Sequence, residues 1–557
     1  MIGALRGTLA LLVLVLLVAL SPARAETPDE ALDALLAKVR SEMPEACDKE
    51  DADTLVRILC TGTMRVGVRW NYPMFSTLVG DTDERIGYDT AVAGAIAARL
   101  GVTPEWVHVR AATRISTLAE GGADVVIATM GHTKQRDGQT RYIRPHYYSS
   151  ETIVVGPREL DVSGWDDIKG WRVCSTIGNH ANSYLVTKDV RLMLFESAVR
   201  LPEALEDGTC RLASQDDSFF ASFIAVPEFG ARFERKFGFH AVPWGMAVAQ
   251  TGSDEFATAL ELISAIMHRD GEFLELGIEN SVFTGFLEEQ HDKWQTPTCA
   301  DASAIADAGC VLPALDNTPL PTRFADEVNA TVEWIKANLG LSLELPMLTS
   351  VPAFELFTAG IVNSLILVMG ALGATLGFSL IFGFFSIIPL RVSRFVTWGI
   401  VTTIQSSPVI LTLVVAGTVA TTIFTYSPAV ALGSAIVALG LMNGANAGQA
   451  IGEAAESLQR DGRYGSGFSG ALYWAAVRRS LTQLLSFLIN AAKGTPIASF
   501  TGAPELLSAL TDITSFSAGR GTMYTMVLIF YIAVVFLVVW ACERVRTRLN
   551  KREEAQA

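Results

Sequence analysis

The 557-residue sequence is poor in the residues that carry most enzymatic chemistry. It has 7 histidines and 7 cysteines. No C-x-x-C motif or close histidine pair supports a zinc site, and no nucleophile–base pair stands out. The expectation is a protein that is not an enzyme and needs no metal or cofactor. There is no G-x-x-x-x-G-K-[ST] loop, so the chain cannot hydrolyse ATP by that route. A TVGYG-like filter, the mark of one class of channel, is also missing. Charge is sparse at 18% of residues, and acids outnumber bases by 58 to 43, a net of −15. A nucleic-acid partner would need a basic footprint, which this balance excludes.

What is present is unevenly spread. From Pro352 onward there are 13 basic and 9 acidic residues in an apolar background, a net of +4, so the preceding part carries −19. An acidic front and a mildly basic, greasy back suggest a soluble domain joined to a membrane domain. The N-terminus reads as a signal peptide over residues 1–25. Arg6 supplies the positive start, Leu9 to Leu20 the apolar run, and Ala23-Arg24-Ala25 an A-x-A cleavage site. An uncleaved anchor is the alternative. In an exported compartment Cys47 and Cys60, Cys174 and Cys210, and Cys299 and Cys310 can pair, although six cysteines permit about 15 connectivities. Cys542 is left over.

Residues 26–60 form a helical lead-in. Over 61–290 strands alternate with helices. MRVGV, EWVHV and ADVVIATM read as strands, with YDTAVAGAIAARLG and TRISTLAEGG as helices between them. A second run from Trp171 to about Phe239 holds the strands WRVCST and CRLASQ. This is an α/β pattern with parallel strands, whose ends direct loops at a ligand crevice. The stretch GVRWNYPMFS is unusual for such a loop: Arg69 sits among Trp70, Tyr72 and Phe75, with Pro73 stiffening the turn. Residues 291–350 form a Pro/Ala/Asp-rich linker with one amphipathic helix.

Nine pieces in a fixed order carry a family resemblance. They are Tyr72-Pro73-x-Phe75, Gly87-Tyr88-Asp89, Ala123-Asp124-Val-Val-Ile-Ala, Thr133-x-x-Arg136, Tyr147-Tyr148, Ile168 to Gly170, Gly178, Asp216 and Trp244 to Val248. From Met64 to Phe286 the chain resembles the solute-binding proteins of polar amino-acid ABC importers. That resemblance implies a two-lobed α/β periplasmic-binding-protein fold. It implies Arg136 as the grip on a ligand carboxylate, where a guanidinium binds in a two-pronged fork, and Asp216 as the partner of the ammonium. Backbone N–H groups near Met130 and Gly178 would assist, and Tyr72 and Phe75 would wall the pocket. From the residues alone Arg136 reads as a surface arginine in the polar loop KQRDGQTR, and it is the resemblance that reverses this; for Asp216 the alternative is a helix N-cap ahead of SFFASF. Arg69 and Arg114 resemble the glutamate/aspartate-binding branch and imply an acidic or amide side chain on the ligand. For Arg69 the alternative is a cation stacked on Trp70 or Tyr72. His132, Thr133 and His180 are further candidates for the pocket. The family pattern has Thr where Gly131 stands, and Ser or Thr where Asn179 and His180 stand.

Residues 351–550 contain five apolar stretches, near 357–386, 396–424, 428–451, 481–502 and 523–542, and so predict an all-α membrane domain of about five helices. With the binding domain outside, Arg391, Arg394, Arg460, Arg463, Arg478 and Arg479 and the tail 551–557 fall inside, as the positive-inside rule requires. This half resembles the permease subunit of the same importers. The resemblance implies a cytoplasmic ATPase on another chain, a second or related permease copy, and a bacterial inner membrane with a periplasmic N-terminal domain and a cytoplasmic C-terminus. The family's ATPase-coupling helix aligns with Tyr464, Gly465, Ser466 and Gly470, but its Glu-Ala-Ala signature is missing and four glycines weaken a helix there. A membrane-tethered amino-acid receptor is therefore the rival expectation.

Overall fold

The computed structural model describes residues 26–47, 49, 51–80, 84–341, 343–424, 428–465, 467–501, 503–514 and 519–554. The expected signal peptide, Ser466 of the coupling loop and residues 555–557 of the tail lie outside the described residues. The chain divides into two compact units. One comprises residues up to 164, 174–180 and 195–318; the other comprises 165–173, 181–194 and 319 onward.

The described strands are β1 (Thr63–Arg69), β2 (Thr77–Leu78), β3 (Arg85–Ile86), β4 (Thr103–Val109), β5 (Val125–Val126), β6 (Arg141–Tyr142), β7 (Tyr148–Pro157), β8 (Arg172–Thr176), β9 (Arg191–Phe195), β10 (Leu212–Asp216), β11 (Phe233–Trp244) and β12 (Ala247–Val248). They form one sheet of order β4-β1-β5-β12-β6, a second of order β11-β7-β10-β8-β9, and the small pair β2-β3. In the first sheet β1 lies parallel to both β4 and β5. The helices Tyr88–Leu100 and Arg114–Ala119 make the crossovers that parallel pairing demands. The chain leaves this sheet after β6, builds the second, and returns at β12, which pairs antiparallel with β5 and β6. Two lobes result, joined between Tyr142 and Tyr148 and again between Trp244 and Ala247.

Local chemistry sets the elements that support the cleft. Helix Tyr88–Leu100 buries Val92, Ala93, Ile96, Ala97 and Leu100 and stops at Gly101, which takes the left-handed conformation (φ 73°). Its N-terminus docks on the loop after β1: Tyr88 N–H donates to Met74 O (2.8 Å) and Asp89 N–H to Phe75 O (2.9 Å). Gly87 permits this approach. It has φ 131°, and a Cβ there would lie 2.4 Å from the Phe75 carbonyl carbon.

Asp124 ties the start of β5 to β1. Its carboxylate accepts from the Arg65 N–H (2.8 Å), from the Arg65 guanidinium (2.7 Å) and from Arg57. Burial opposes ionisation, but the two arginines hold this carboxyl below the usual range. Asp124→Ala is expected to lower unfolding stability by about 2 kcal/mol in a denaturant titration. The cost is not larger because about a third of each arginine side chain remains in water.

The cysteines pair Cys47–Cys60, Cys174–Cys210 and Cys299–Cys310, and Cys542 is free. The first bridge joins the two lead-in helices Pro28–Ala46 and Thr54–Thr61. The third closes a connector that packs Trp294, Ala304 and Val311 around Ala265.

In the second unit three helices among the described residues are long and apolar enough to cross a membrane: Val351–Ile387, Ala429–Arg460 and Gly521–Arg548. A fourth qualifies if Val392–Ser406 and Val409–Ala420, bent by 110°, form one span. The expected count of about five is not reached. The stretch 481–502 divides into helix Leu481–Gly494 and a 3-10 segment Thr495–Thr501. The 14-residue helix rises about 21 Å, short of a hydrocarbon core of about 30 Å. Gly440, Gly444 and Gly448, one turn apart, let the third apolar stretch press on the first. A Cβ on each would meet the Cβ of Ala374, Phe378 or Phe382 at 2.3–2.5 Å. In the expected coupling region Tyr464 and Gly465 lie outside any helix. The helix runs only from Gly470 to Arg479, capped by Ser469 Oγ accepting from Leu472 N–H (3.1 Å).

Candidate functional site

The aromatic loop after β1 turns back on itself. Tyr72 N–H donates to Ser76 O (2.7 Å) and Ser76 N–H to Tyr72 O (2.9 Å). The turn delivers Tyr72 and Phe75 into the cleft, both buried. Phe75 packs edge-on against Tyr148 (5.2 Å) and Trp244 (5.1 Å). The Tyr72 ring lies against Phe219 of the second lobe (5.0 Å) and beneath the Arg69 guanidinium (4.9 Å). The Tyr72 hydroxyl donates to Asp216 Oδ2 across the cleft (2.6 Å). Trp70 instead stays half exposed, stacked with His108 and Arg85.

Asp216 stands at the N-cap position of helix Asp217–Ile224, yet its side chain makes no capping bond. Burial raises its pKa to about 6, with Asp217 adding to the rise and Tyr72, Arg69 and Arg114 opposing it. Arg69 is only 6% exposed, and burial lowers its pKa.

Arg114 begins helix Arg114–Ala119 and is 3% exposed. Its Nη1 donates to Ala128 O (2.8 Å) and Thr129 O (3.0 Å), while its buried Nε has no partner. Burial, then Arg136 and Arg69, lower its pKa to about 9. Thr129 adopts φ 48°, which a β-branched residue rarely accepts. Its N–H points at Asp89 Oδ2 and Tyr147 Oη (both 3.1 Å), and its buried Oγ1 is unpartnered. Asp89 also accepts from Tyr147 Oη–H (2.9 Å). Burial outweighs these bonds and raises its pKa to about 8. Thr129 was not singled out from sequence, and Tyr147 and Asp89 entered only as pieces of the family pattern. The available signal was the Gly87-Tyr88-Asp89 triplet, an acid at the second position of a helix otherwise lined with small apolar residues.

Arg136 sits on the short turn Lys134–Asp137. Its Nη1 donates to Gly131 O (2.7 Å) and its Nη2 to Gly178 O in the second lobe (2.8 Å). The guanidinium also acts on the buried Tyr142 hydroxyl, and with five N–H donors it keeps capacity for a further acceptor. Thr133 is buried with its Oγ1 unpartnered. Gly178 has φ 80°, and a Cβ there would lie 2.6 Å from Ala111 O of the first lobe. His180 is buried, its Nε2 3.3 Å from Thr152 Oγ1. Burial together with Arg136 and Arg114 keeps the imidazole neutral. It covers Gly131, where a Cβ would meet His180 Nδ1 at 3.1 Å. A further support was invisible in sequence: the connector runs along this turn, with Leu315 N–H donating to His132 O (3.0 Å) and Lys134 N–H to Leu315 O (3.0 Å).

Met130 is a candidate through the backbone near it; its side chain belongs to the apolar core with Val109, Leu118 and Val126, because side chains alternate in an extended segment. One candidate points elsewhere: His132 is turned inward. Its Nε2 meets Asp137 Oδ1 (2.6 Å), its Nδ1 meets His146 Nε2 (2.7 Å), and its ring stacks on Tyr142. With both ring nitrogens engaged inside the lobe, His132 does not line the cleft.

The cleft thus combines buried cations and acids from two lobes with aromatic walls, the arrangement of a small-molecule binding protein. Residues 64–279 match the family described as bacterial extracellular solute-binding proteins, family 3. Two curated relatives are similar. The L-cystine-binding protein TcyA of Bacillus subtilis (strain 168) is 23% identical over 168 residues, covering 30% of this chain and 62% of that protein. The glutamine-binding protein of Geobacillus stearothermophilus is 26% identical over 162 residues, covering 28% of this chain and 62% of that protein. The chain therefore spans a little under two thirds of the length of these relatives. A solved ancestral arginine-binding protein bound to arginine shares 23% identity at a TM-score of 0.37, over 39% of this chain and 97% of that one. Residues 64–279 thus match the family 3 solute-binding model, and among the described residues they are followed by a helical region in which three to four spans are long and apolar enough to cross a membrane.

Proposed function

We propose that this chain is the substrate-binding and membrane-spanning component of an ABC-type importer for a polar or acidic L-amino acid. One observation carries the ligand class. Arg69, Arg114 and Arg136 share one cluster with Asp216 and Asp89, and among the described residues Arg114 Nε, Thr129 Oγ1 and Thr133 Oγ1 have no hydrogen-bond partner. Buried polar atoms and charges require partners, and three guanidiniums against two carboxyls leave a cationic excess. A zwitterion whose side chain carries a further carboxylate or an amide complements that set. Its α-carboxylate would take the remaining N–H groups of Arg136, its ammonium would take Asp216, and its side chain would face Arg69. His180, Gly178 and Thr133 would complete the enclosure.

In this reading residues 61–290 bind outside the cell and 351–550 form the permease in a bacterial inner membrane, with the C-terminus in the cytoplasm. A separate ATPase would supply the energy, and a second or related permease copy would complete the path within the lipid. A membrane-tethered receptor that binds without pumping is the second reading. It is favoured by the Tyr464–Gly465 loop, where no helix forms before Gly470. Ligand-stimulated nucleotide hydrolysis after reconstitution with an ATPase would favour the importer, and its absence the receptor.

The binding claim is tested by calorimetric titration of the detergent-solubilised chain against the twenty amino acids. Micromolar or tighter binding of at least one is expected, and Arg69→Ala should change which is preferred. Unchanged selectivity in Arg69→Ala would remove the acidic or amide assignment.

A further inference from the structure

The geometry points to Tyr72 as a positioning residue for Asp216. Its phenol reaches across the cleft, holds Oδ2, and so presents Oδ1 to an incoming ammonium. The inference rests on the amino-acid-binding reading above and adds to it how the acid is aimed.

The position of Asp216 is the first support. A carboxylate at an N-cap ordinarily accepts from the N–H groups of its own first turn. Asp216 occupies that position without capping, and its hydrogen-bond donor is Tyr72 from the opposite lobe. Among the described residues no hydrogen bond reaches Oδ1. The packing of Tyr72 is the second support. Its ring is clamped by the Arg69 guanidinium at 4.9 Å and by Phe219 at 5.0 Å, so the hydroxyl has little freedom to leave the acid. The phenol also supplies Oδ2 with one hydrogen bond that an ammonium would otherwise have to make. Removing it should let the carboxylate rotate back onto helix Asp217–Ile224.

The groups that act on Asp216 are Asp217 on its own helix, Arg69 on β1, Arg114 on its helix and Tyr72 on the loop. Tyr148 on β7 feels it in turn. A donor to the ionised form favours that form, so loss of the Tyr72 hydroxyl must raise the pH at which Asp216 gives up its proton. Tyr72→Phe keeps the ring, its packing and its contact with Arg69.

The test is calorimetric titration of the full-length chain and of Tyr72→Phe with L-glutamine, whose backbone charges are constant between about pH 4 and 7.5. Native affinity should fall as the pH drops below about 6. In Tyr72→Phe the fall should begin about one pH unit higher. A limb at the same or lower pH in the variant overturns the inference, even if affinity falls uniformly. If no amino acid binds the native chain at any pH, the amino-acid reading fails by itself. Asp216 is then followed without ligand through the infrared band of its protonated carboxyl, assigned by Asp216→Asn. An upward shift in Tyr72→Phe sustains the positioning role, and an unchanged titration overturns it.

Discussion

Arg136→Ala is expected to weaken amino-acid binding by at least about 100-fold, to the point of vanishing from a calorimetric titration, while the melting temperature changes little. Removing this side chain takes away three kinds of contact. The N–H groups left over after Gly131 and Gly178 are the proposed grip on the ligand carboxylate. The bond to Gly178 O joins the two lobes. The bond to Gly131 O helps shape the turn beside His180. The arginine is partly exposed and its fold contacts are two carbonyls, so the cost to folding is small, because exposed polar groups recover water when a partner is lost. Arg136→Lys should recover little, since an ammonium cannot reproduce the planar fork. Native affinity in the alanine variant would transfer the carboxylate to Arg114, a buried guanidinium whose Nε has no partner.

Gly178→Ala should have an effect of similar size by a different route. The new methyl would lie 2.6 Å from Ala111 O and 2.8 Å from Ala112 N, both backbone atoms of the first lobe that cannot swing aside. The residue also has φ 80°, where alanine costs about 1–2 kcal/mol. The lobes are then held apart, and the ligand is offered only half of its partners. Loss of binding with retained secondary structure, and a larger radius of gyration in solution scattering with ligand present, are the expected observations. Unaltered binding would mean that closure does not bring Gly178 onto Ala111.

How much of this was legible depended on how local each feature is. Helix Tyr88–Leu100 announces itself through small apolar residues at helical spacing and a terminal glycine. The first apolar helix, Val351–Ile387, announces itself through length alone. At 481–502 composition reads as one span, but the α-helix ends at Gly494 and continues as a 3-10 segment from Thr495. His132 and His180 looked equivalent as loop histidines. One lies inside a lobe because His146 and Asp137 meet it there; the other closes over Gly131 from the opposite lobe.

The alternation of strands and helices in the front and the division into an acidic front and an apolar back were determined by the sequence itself, because periodicity and charge are local and additive. Which side chains meet was decided only by the tertiary structure. Tyr72 and Asp216 are 144 residues apart, and their bond depends on a chain that leaves the first sheet, builds a second and returns at β12. No local pattern encodes a distance set by two such crossings.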